Sequence, residues 1–331
     1  MPFTIVRQDI TRMTVDAIVN AANTDLAVGG GVCGAIFKAA GLAQLQAACS
    51  KVSPIKTGEA TITPGFNLPA KWIIHAAGPV YRHWSPKQSK YLLCSAYTSA
   101  LRLAFENKCK SIAFPLISSG TYGYPKEEAL QVAVDAIRSF LTDHDLDVYL
   151  VIFDKRSFVI STELLGAVKS YIDENYADTH YVTRRDLLKE TCTCPGNAAA
   201  PSFRGSGVEG VDDWIQRMDK PFNAALLQLI DAKGKTDAQV YKRANIDRKL
   251  FSKIRTGKGY IPSKRTILAL AVALELSLGE SIHLLAGAGY TLSHSQTFDM
   301  IVEYFIVTGR YDIHQINEVL FKYDQPLLGA N

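Results

Sequence analysis

Short apolar runs alternate with longer stretches of helical periodicity over the first 175 residues. Strands are expected at Ala17–Val19, Lys71–His75, Ser111–Pro115 and Val148–Phe153. Helical spacing between them predicts helices over 31–41, 89–107 and 126–143, with a last one near 160–173. That alternation predicts an α/β domain on a central sheet. From about 175 to 210 the periodicity dissolves into Thr191-Cys192-Thr193-Cys194-Pro195-Gly196-Asn197 and Arg204-Gly205-Ser206-Gly207, which reads as a linker. Beyond 213 each segment carries helical spacing, at 222–230, 237–244, 248–255, 264–276 and 297–307, with further helices between 290 and 327 and no β-alternation. The expected division is therefore an α/β domain over 1–175, a linker over 176–212 and an all-helical domain over 213–331.

Composition narrows the class. A chain of 331 residues, 47% hydrophobic and 21% charged, has room for two cores and is not that of a disordered protein. No apolar stretch reaches the roughly 20 residues of a membrane-spanning helix, and the N-terminus lacks a cationic segment followed by an apolar one, so a cytoplasmic location is expected. Six scattered cysteines do not make a disulfide framework, and Cys192 and Cys194 have no second pair to complete a tetrahedral site, so no metal is expected. A net charge of +4 implies no nucleic-acid partner unless it is concentrated.

Chemistry gathers at two glycine-rich loops. The strand over Ala17–Val19 runs on to Asn20 and Asn23, and Gly29-Gly30-Gly31 then leads directly into a helix. Glycines let the backbone approach a ligand, and a helix N-terminus offers unpaired N–H groups and the positive end of its dipole, an arrangement suited to phosphate. A second such loop, Leu116–Pro125, follows the strand Ser111–Pro115. Two loops facing each other at strand ends would suit a pyrophosphate. The plainer reading is that the glycines only make turns; neither nucleotide signature, G-x-G-x-x-G nor G-x-x-x-x-G-K-[ST], is present.

The run Ile18-Val19-Asn20-Ala21-Ala22-Asn23, the segment from Gly29 through Val32 to Ala35-Ile36, Ile74-His75-Ala76-Ala77-Gly78-Pro79, and Pro115 through Ser118, Gly120 and Tyr122 to Tyr124-Pro125 resemble the macrodomain family, in order, over residues 2–172. The resemblance is strongest to the branch that removes ADP-ribose from modified proteins. It implies a three-layer α/β/α fold with a central mixed sheet and a cleft for ADP-ribose, with no cofactor besides that ligand. Asp9, beside Ile10, would accept from the adenine amino group. Asn23 would hold the distal ribose, and Asn20 would support its loop. Gly29, Gly30, Gly31 and Val32 would line the phosphate path, with Cys33 behind them. Ser118, Ser119, Gly120, Thr121 and Tyr122 would close over the diphosphate, and Phe153 would stack on adenine or belong to the core. Asn23, Gly31 and Tyr122 would carry the reaction. The hydrolytic branch commonly has an acid where Cys33 stands and a histidine where Phe37 stands, so two expectations stay open: hydrolysis with a phosphate-positioned water, or a sensor of ADP-ribose or another NAD-derived nucleotide.

In the helical half, Thr236 to Gln239 has capping-box spacing, and Asn245-Ile246-Asp247 separates two short helices. Nine Lys or Arg and one acid lie between Lys242 and Arg265. This stretch resembles the phage-repressor-like helix-turn-helix family over about 223–290, with Tyr241 in place of the usual Ala and Asn245 in place of the usual Gly. By that resemblance Arg248, Lys249, Ser252 and Lys253 would face a major groove, with Lys258 and Lys264 near phosphates. The other reading is a solvated basic face on a protein-binding bundle.

Overall fold

The computed structural model describes residues 3–152, 162–180, 222–256 and 260–329. Six strands form one mixed sheet: β1 (Phe3–Arg7), β2 (Ala17–Ala22), β3 (Ala60–Pro64), β4 (Trp72–Ala77), β5 (Ser111–Pro115) and β6 (Asp147–Ile152). Their order is β1-β6-β5-β2-β4-β3, and every neighbouring pair is parallel except β3 and β4. The predicted strands β2, β4, β5 and β6 are the inner four. They are buried on both faces, which is why they read as continuous apolar runs. The two edge strands, β1 and β3, were not among the predicted ones: their polar residues, Thr4, Arg7, Thr61 and Thr63, break the apolar signal.

Helices α1 (Gly31–Ala40) and α2 (Leu42–Cys49) cover one face of the sheet. They bury Ile36, Phe37 and Leu45 on Ile18 and Ile73. On the other face α3 (Pro86–Glu106) and α4 (Lys126–Asp143) bury Tyr97, Leu101, Ala133 and Ile137 on Val19, Ile74, Phe114 and Leu150. The three expected layers are therefore present. Because β1, β2, β5 and β6 run parallel, their C-terminal ends open on one rim, where the two glycine loops sit.

Helix α5 (Thr162–His180) continues past the expected domain boundary at 175, so 176–180 are helical rather than linker. The rest of the predicted linker lies outside the described residues. Among the described residues seven helices follow: α6 (Phe222–Ala232), α7 (Asp237–Arg243), α8 (Arg248–Thr256), α9 (Lys264–Ala273), α10 (Leu278–Ala286), α11 (Thr297–Val307) and α12 (Ile313–Lys322). The described residues beyond 222 contain no strand. Thr236 and Gln239 form the expected capping box at the start of α7, and Asn245 takes a positive φ of 53° in the turn to α8.

The helical unit rests on the first strand. Asn245 is buried, and its side-chain amide accepts from the Phe3 N–H at 2.6 Å and donates to the Phe3 carbonyl at 2.8 Å, as a neighbouring strand would. Arg138 of α4 pairs with Asp312 at 2.7 Å, and Tyr171 of α5 donates to Glu303 of α11 at 3.3 Å.

Candidate functional site

Two cavities meet on the rim. The first, 490 Å³, is lined by Gln8, Asp9, Ile10, Gly31, Val32, Ala35, Pro115, Leu116, Ser119, Val151 and Ile152. The second, 520 Å³, is lined by Ala21 to Asn23, Gly29 to Cys33, Gly78, Pro115 to Tyr122 and Lys126. Gly31, Val32, Pro115, Leu116 and Ser119 line both, so the two form one elongated cleft with the N-terminus of α1 at its waist. A still larger cavity, 740 Å³, lies between the two units beside Arg138, Lys242 and Tyr311. Its cations are already engaged: Arg138 by Asp312, Arg243 by Glu275 and Lys242 by the Thr142 carbonyl.

The backbone at the waist is bare, a geometry that suits an anion. Gly30 is the N-cap of α1 and has no side chain to occupy the first N–H groups, and Gly31 adopts a positive φ of 59°. Apart from the adjoining backbone, no atom lies within 4 Å of where a Cβ would stand on Gly30 or Gly31, so the backbone here faces open space. Across the cleft, the loop after β5 is pinned from below. The buried Tyr97 hydroxyl accepts from the Ile117 N–H at 3.0 Å and donates to the Pro115 carbonyl at 3.3 Å. Ser118 has a positive φ of 63°, and Tyr124 N–H closes the loop onto the Ser118 carbonyl at 3.0 Å. A Cβ on Gly78 would stand 2.3 Å from Ser118 Oγ and 2.5 Å from Ile117 Cγ2, so only glycine lets this loop sit down on β4.

At the apolar end, Asp9 caps the 3-10 turn Ile10–Arg12. Its Oδ1 accepts from the Thr11 hydroxyl at 2.7 Å and the Thr11 N–H at 2.9 Å, and these bonds hold the carboxyl below its ordinary range. Both bonds fall on Oδ1, which leaves Oδ2 as an acceptor for a ligand amino group. Ile10, Val32, Val151 and Ile152 give that end apolar walls for a flat base.

At the other end, Asn23 lines the cleft but its amide is already engaged. Nδ2 donates to the Ala27 carbonyl at 2.9 Å and Oδ1 accepts from the Ala27 N–H at 3.0 Å, which staples the 23–27 loop. Asn20 does not line the cleft at all; it is 1% exposed and lies beneath Cys33. Cys33 and Tyr122 line the cavity, and the Tyr122 phenol is pushed up by burial, then by Cys33 and Asp25 nearby. Gly29, Gly30, Gly31, Val32, Ser118, Ser119, Gly120 and Thr121 all line the same end. Phe153 lies outside the described residues. Gly78, Tyr97, Lys126 and Val151 were not predicted. Gly78 lies in the Ile74–Pro79 motif, which assigns it no role, while nothing in the sequence marks Tyr97 as more than a core aromatic.

Arg248, Lys249, Ser252 and Lys253 share the exposed face of α8, while Lys258 lies outside the described residues. Much of the surrounding positive charge is engaged: Arg255 pairs with Asp237, Arg243 with Glu275, and Lys253 Nζ stands 4.1 Å from the Tyr260 ring centre. Lys264 is not placed for a phosphate. It neutralises Asp299, whose side chain is fully buried. No cluster of three metal-ligating side chains exists among the described residues.

A mixed α/β/α sheet thus carries a two-lobed cleft over its strand ends, with a bare helix N-terminus at the waist and an acid at one end, the place where open α/β sheets bind ligands. Residues 19–133 match the model of the Macro domain. A macro domain-containing protein of Chlorobaculum tepidum is 48% identical over 158 residues, 44% of this chain and 91% of its own length. The O-acetyl-ADP-ribose deacetylase of Escherichia fergusonii is 44% identical over 49% of this chain and 93% of that one. The ADP-ribose glycohydrolase MACROD2 of Xenopus laevis is 48% identical over 44% of this chain and 34% of that one. The chain belongs to the macro domain family through its N-terminal unit.

Proposed function

We propose that the cleft binds ADP-ribose and that the protein hydrolyses ADP-ribose from modified proteins or small ADP-ribosylated molecules. The observation that carries the reading is the continuity of the two cavities through the bare N-terminus of α1. A dinucleotide-sized ligand lies along them with adenine between Ile10 and Val151, its amino group on Asp9, and its diphosphate on the Gly30–Val32 backbone. The distal ribose then falls between Asn23, Cys33 and Tyr122. The names of the E. fergusonii and X. laevis relatives agree with this substrate class.

No carboxylate lines the distal end of the cleft among the described residues, so a general base must come from elsewhere. A ligand phosphate oxygen can orient a water toward the anomeric carbon, with the Gly30 and Gly31 backbone holding the phosphate and Asn23 holding the ribose through the amide proton and oxygen lone pair that Ala27 leaves over. The test is turnover of an ADP-ribosylated protein by the native chain and by Asn23→Ala. A large loss in the variant supports the assignment, and equal activity removes Asn23 from the mechanism.

A second reading, a nucleotide sensor that acts through its helical unit on DNA or a protein, draws support from the exposed basic face of α8 and from the Asn245–Phe3 contact. Its test is a salt-sensitive gel shift that disappears in the double variant Lys249→Ala, Lys253→Ala.

A further inference from the structure

A polar chain crosses the otherwise apolar layer between the sheet and helices α1 and α2. Thr63 of β3, His75 of β4 and Asn20 of β2 are each at most 3% exposed, and they sit on three adjacent strands. His75 Nε2 is 2.8 Å from Thr63 Oγ1 and 3.7 Å from Cys49 Sγ. Its Nδ1 is 3.1 Å from Asn20 Nδ2, and that same amide nitrogen donates to Cys33 Sγ at 3.7 Å. The Cys33 thiol in turn donates to the Ala27 carbonyl at 4.0 Å, the atom that also accepts from Asn23 Nδ2. A hydrogen-bonded path therefore runs from beneath the sheet-helix layer to the loop at the distal end of the cleft.

The direction of the path follows from its chemistry. An amide nitrogen only donates, so His75 Nδ1 must accept and the ring proton must sit on Nε2, toward Thr63. Burial pushes the ring down to about 4, which keeps it neutral at ordinary pH, so that one ring nitrogen stays free to accept. With both Nδ2 protons engaged, Asn20 Oδ1 has no partner among the described residues. A buried polar chain with an unmet acceptor is a poor way to fill a core, since Val and Ile would pack there at no such penalty.

We propose that His75 is a positioning residue for the distal-ribose end of the cleft: through Asn20 and Cys33 it fixes Ala27, and thereby the rotamer of Asn23. Cys33 on this account is neither acid nor nucleophile but a hydrogen-bonding joint between the buried chain and the loop. The inference rests on the reading of the cleft as an ADP-ribose site, and it concerns only the distal ribose, the part of that ligand that ADP lacks.

The experiment is calorimetry with two probes, ADP-ribose and ADP, on the full chain. His75→Phe removes the acceptor, whereas His75→Asn returns an oxygen near the place of Nδ1. His75→Phe is expected to weaken ADP-ribose about five- to tenfold relative to ADP, the scale of one lost hydrogen bond, and His75→Asn to recover most of that ratio. Thr63→Val, which cuts the far end of the chain without touching the cleft, is expected to shift the ratio in the same direction and serves if His75→Phe does not fold. An unchanged ratio in Thr63→Val, and in His75→Phe where that variant folds, or equal weakening of both probes, overturns the proposal. Failure of the native chain to bind ADP-ribose would overturn the reading of the site as well, and is seen before any variant is made.

Discussion

The hydroxyl of Tyr97 is a single buried group on which one wall of the cleft depends. It satisfies the Ile117 N–H and the Pro115 carbonyl at once, and burial pushes its phenol far up, so it stays protonated. Tyr97→Phe leaves both backbone groups without a partner, so a loss of about 1–3 kcal/mol is expected in chemical denaturation, with weaker binding of ADP-ribose in calorimetry. Gly78→Ala attacks the same wall from β4, because its Cβ would overlap Ser118 Oγ and Ile117 Cγ2. It is expected to cut ADP-ribose affinity by at least about tenfold while far-ultraviolet circular dichroism stays native, since the collision is with a loop rather than the sheet. The two residues differ in how far the sequence announces them. Gly78 lies in a motif, whereas Tyr97 sits in an ordinary amphipathic helix, and only the folded position of its hydroxyl gives it a role. Asn20 and Asn23 are a related case: their residue type signalled a polar site, but not that one would be buried and the other stapled to Ala27.

At the scale of elements, the inner strands and the longer helices were legible because burial on both sides, or on one stripe, writes a strong period into the chain. β1 and β3 were lost because edge strands alternate weakly and carry threonines, and α2 because it follows α1 after a single break at Gly41, where φ is 102°. The glycine loops were visible as glycines next to strand ends; that they share one cleft depends on β5 and β2 being neighbours, which no local pattern states. The turn between α7 and α8 was legible as a turn, since Asn tolerates positive φ, but its contact with β1 depends on tertiary packing. Asn245→Ala removes two buried hydrogen bonds and places a side chain less tolerant of φ 53° in the turn. A destabilisation of about 2–4 kcal/mol is expected, and because β1 leads into Asp9, thermal melts should show the N-terminal unit affected together with the helical one.

Across the whole molecule, three titratable groups, His75 buried and His314 and Glu318 half-buried, set opposing pH limits. Burial pushes His75 and His314 down to about 4, so between that value and their ordinary 6.5 the unfolded chain binds protons that the folded chain refuses. Stability therefore falls as pH drops through that interval. Glu318 is the reverse: burial, then the charge of Asp312, pushes its carboxyl up to about 8 from 4.5, so stability falls as pH rises through that range. The melting temperature is expected to decline on both sides of a maximum, and Glu318→Gln to flatten the alkaline side only. A melting curve for Glu318→Gln with the native alkaline slope would rule out that carboxyl as its source.

The cleft carries the central claim, which is tested most directly by titrating the full chain with ADP-ribose in a calorimeter, alongside Asp9→Ala. The account expects a single saturable site in the native chain and a loss of about tenfold in the variant, from the lost adenine contact. No detectable heat from the native chain at high micromolar ADP-ribose would contradict it.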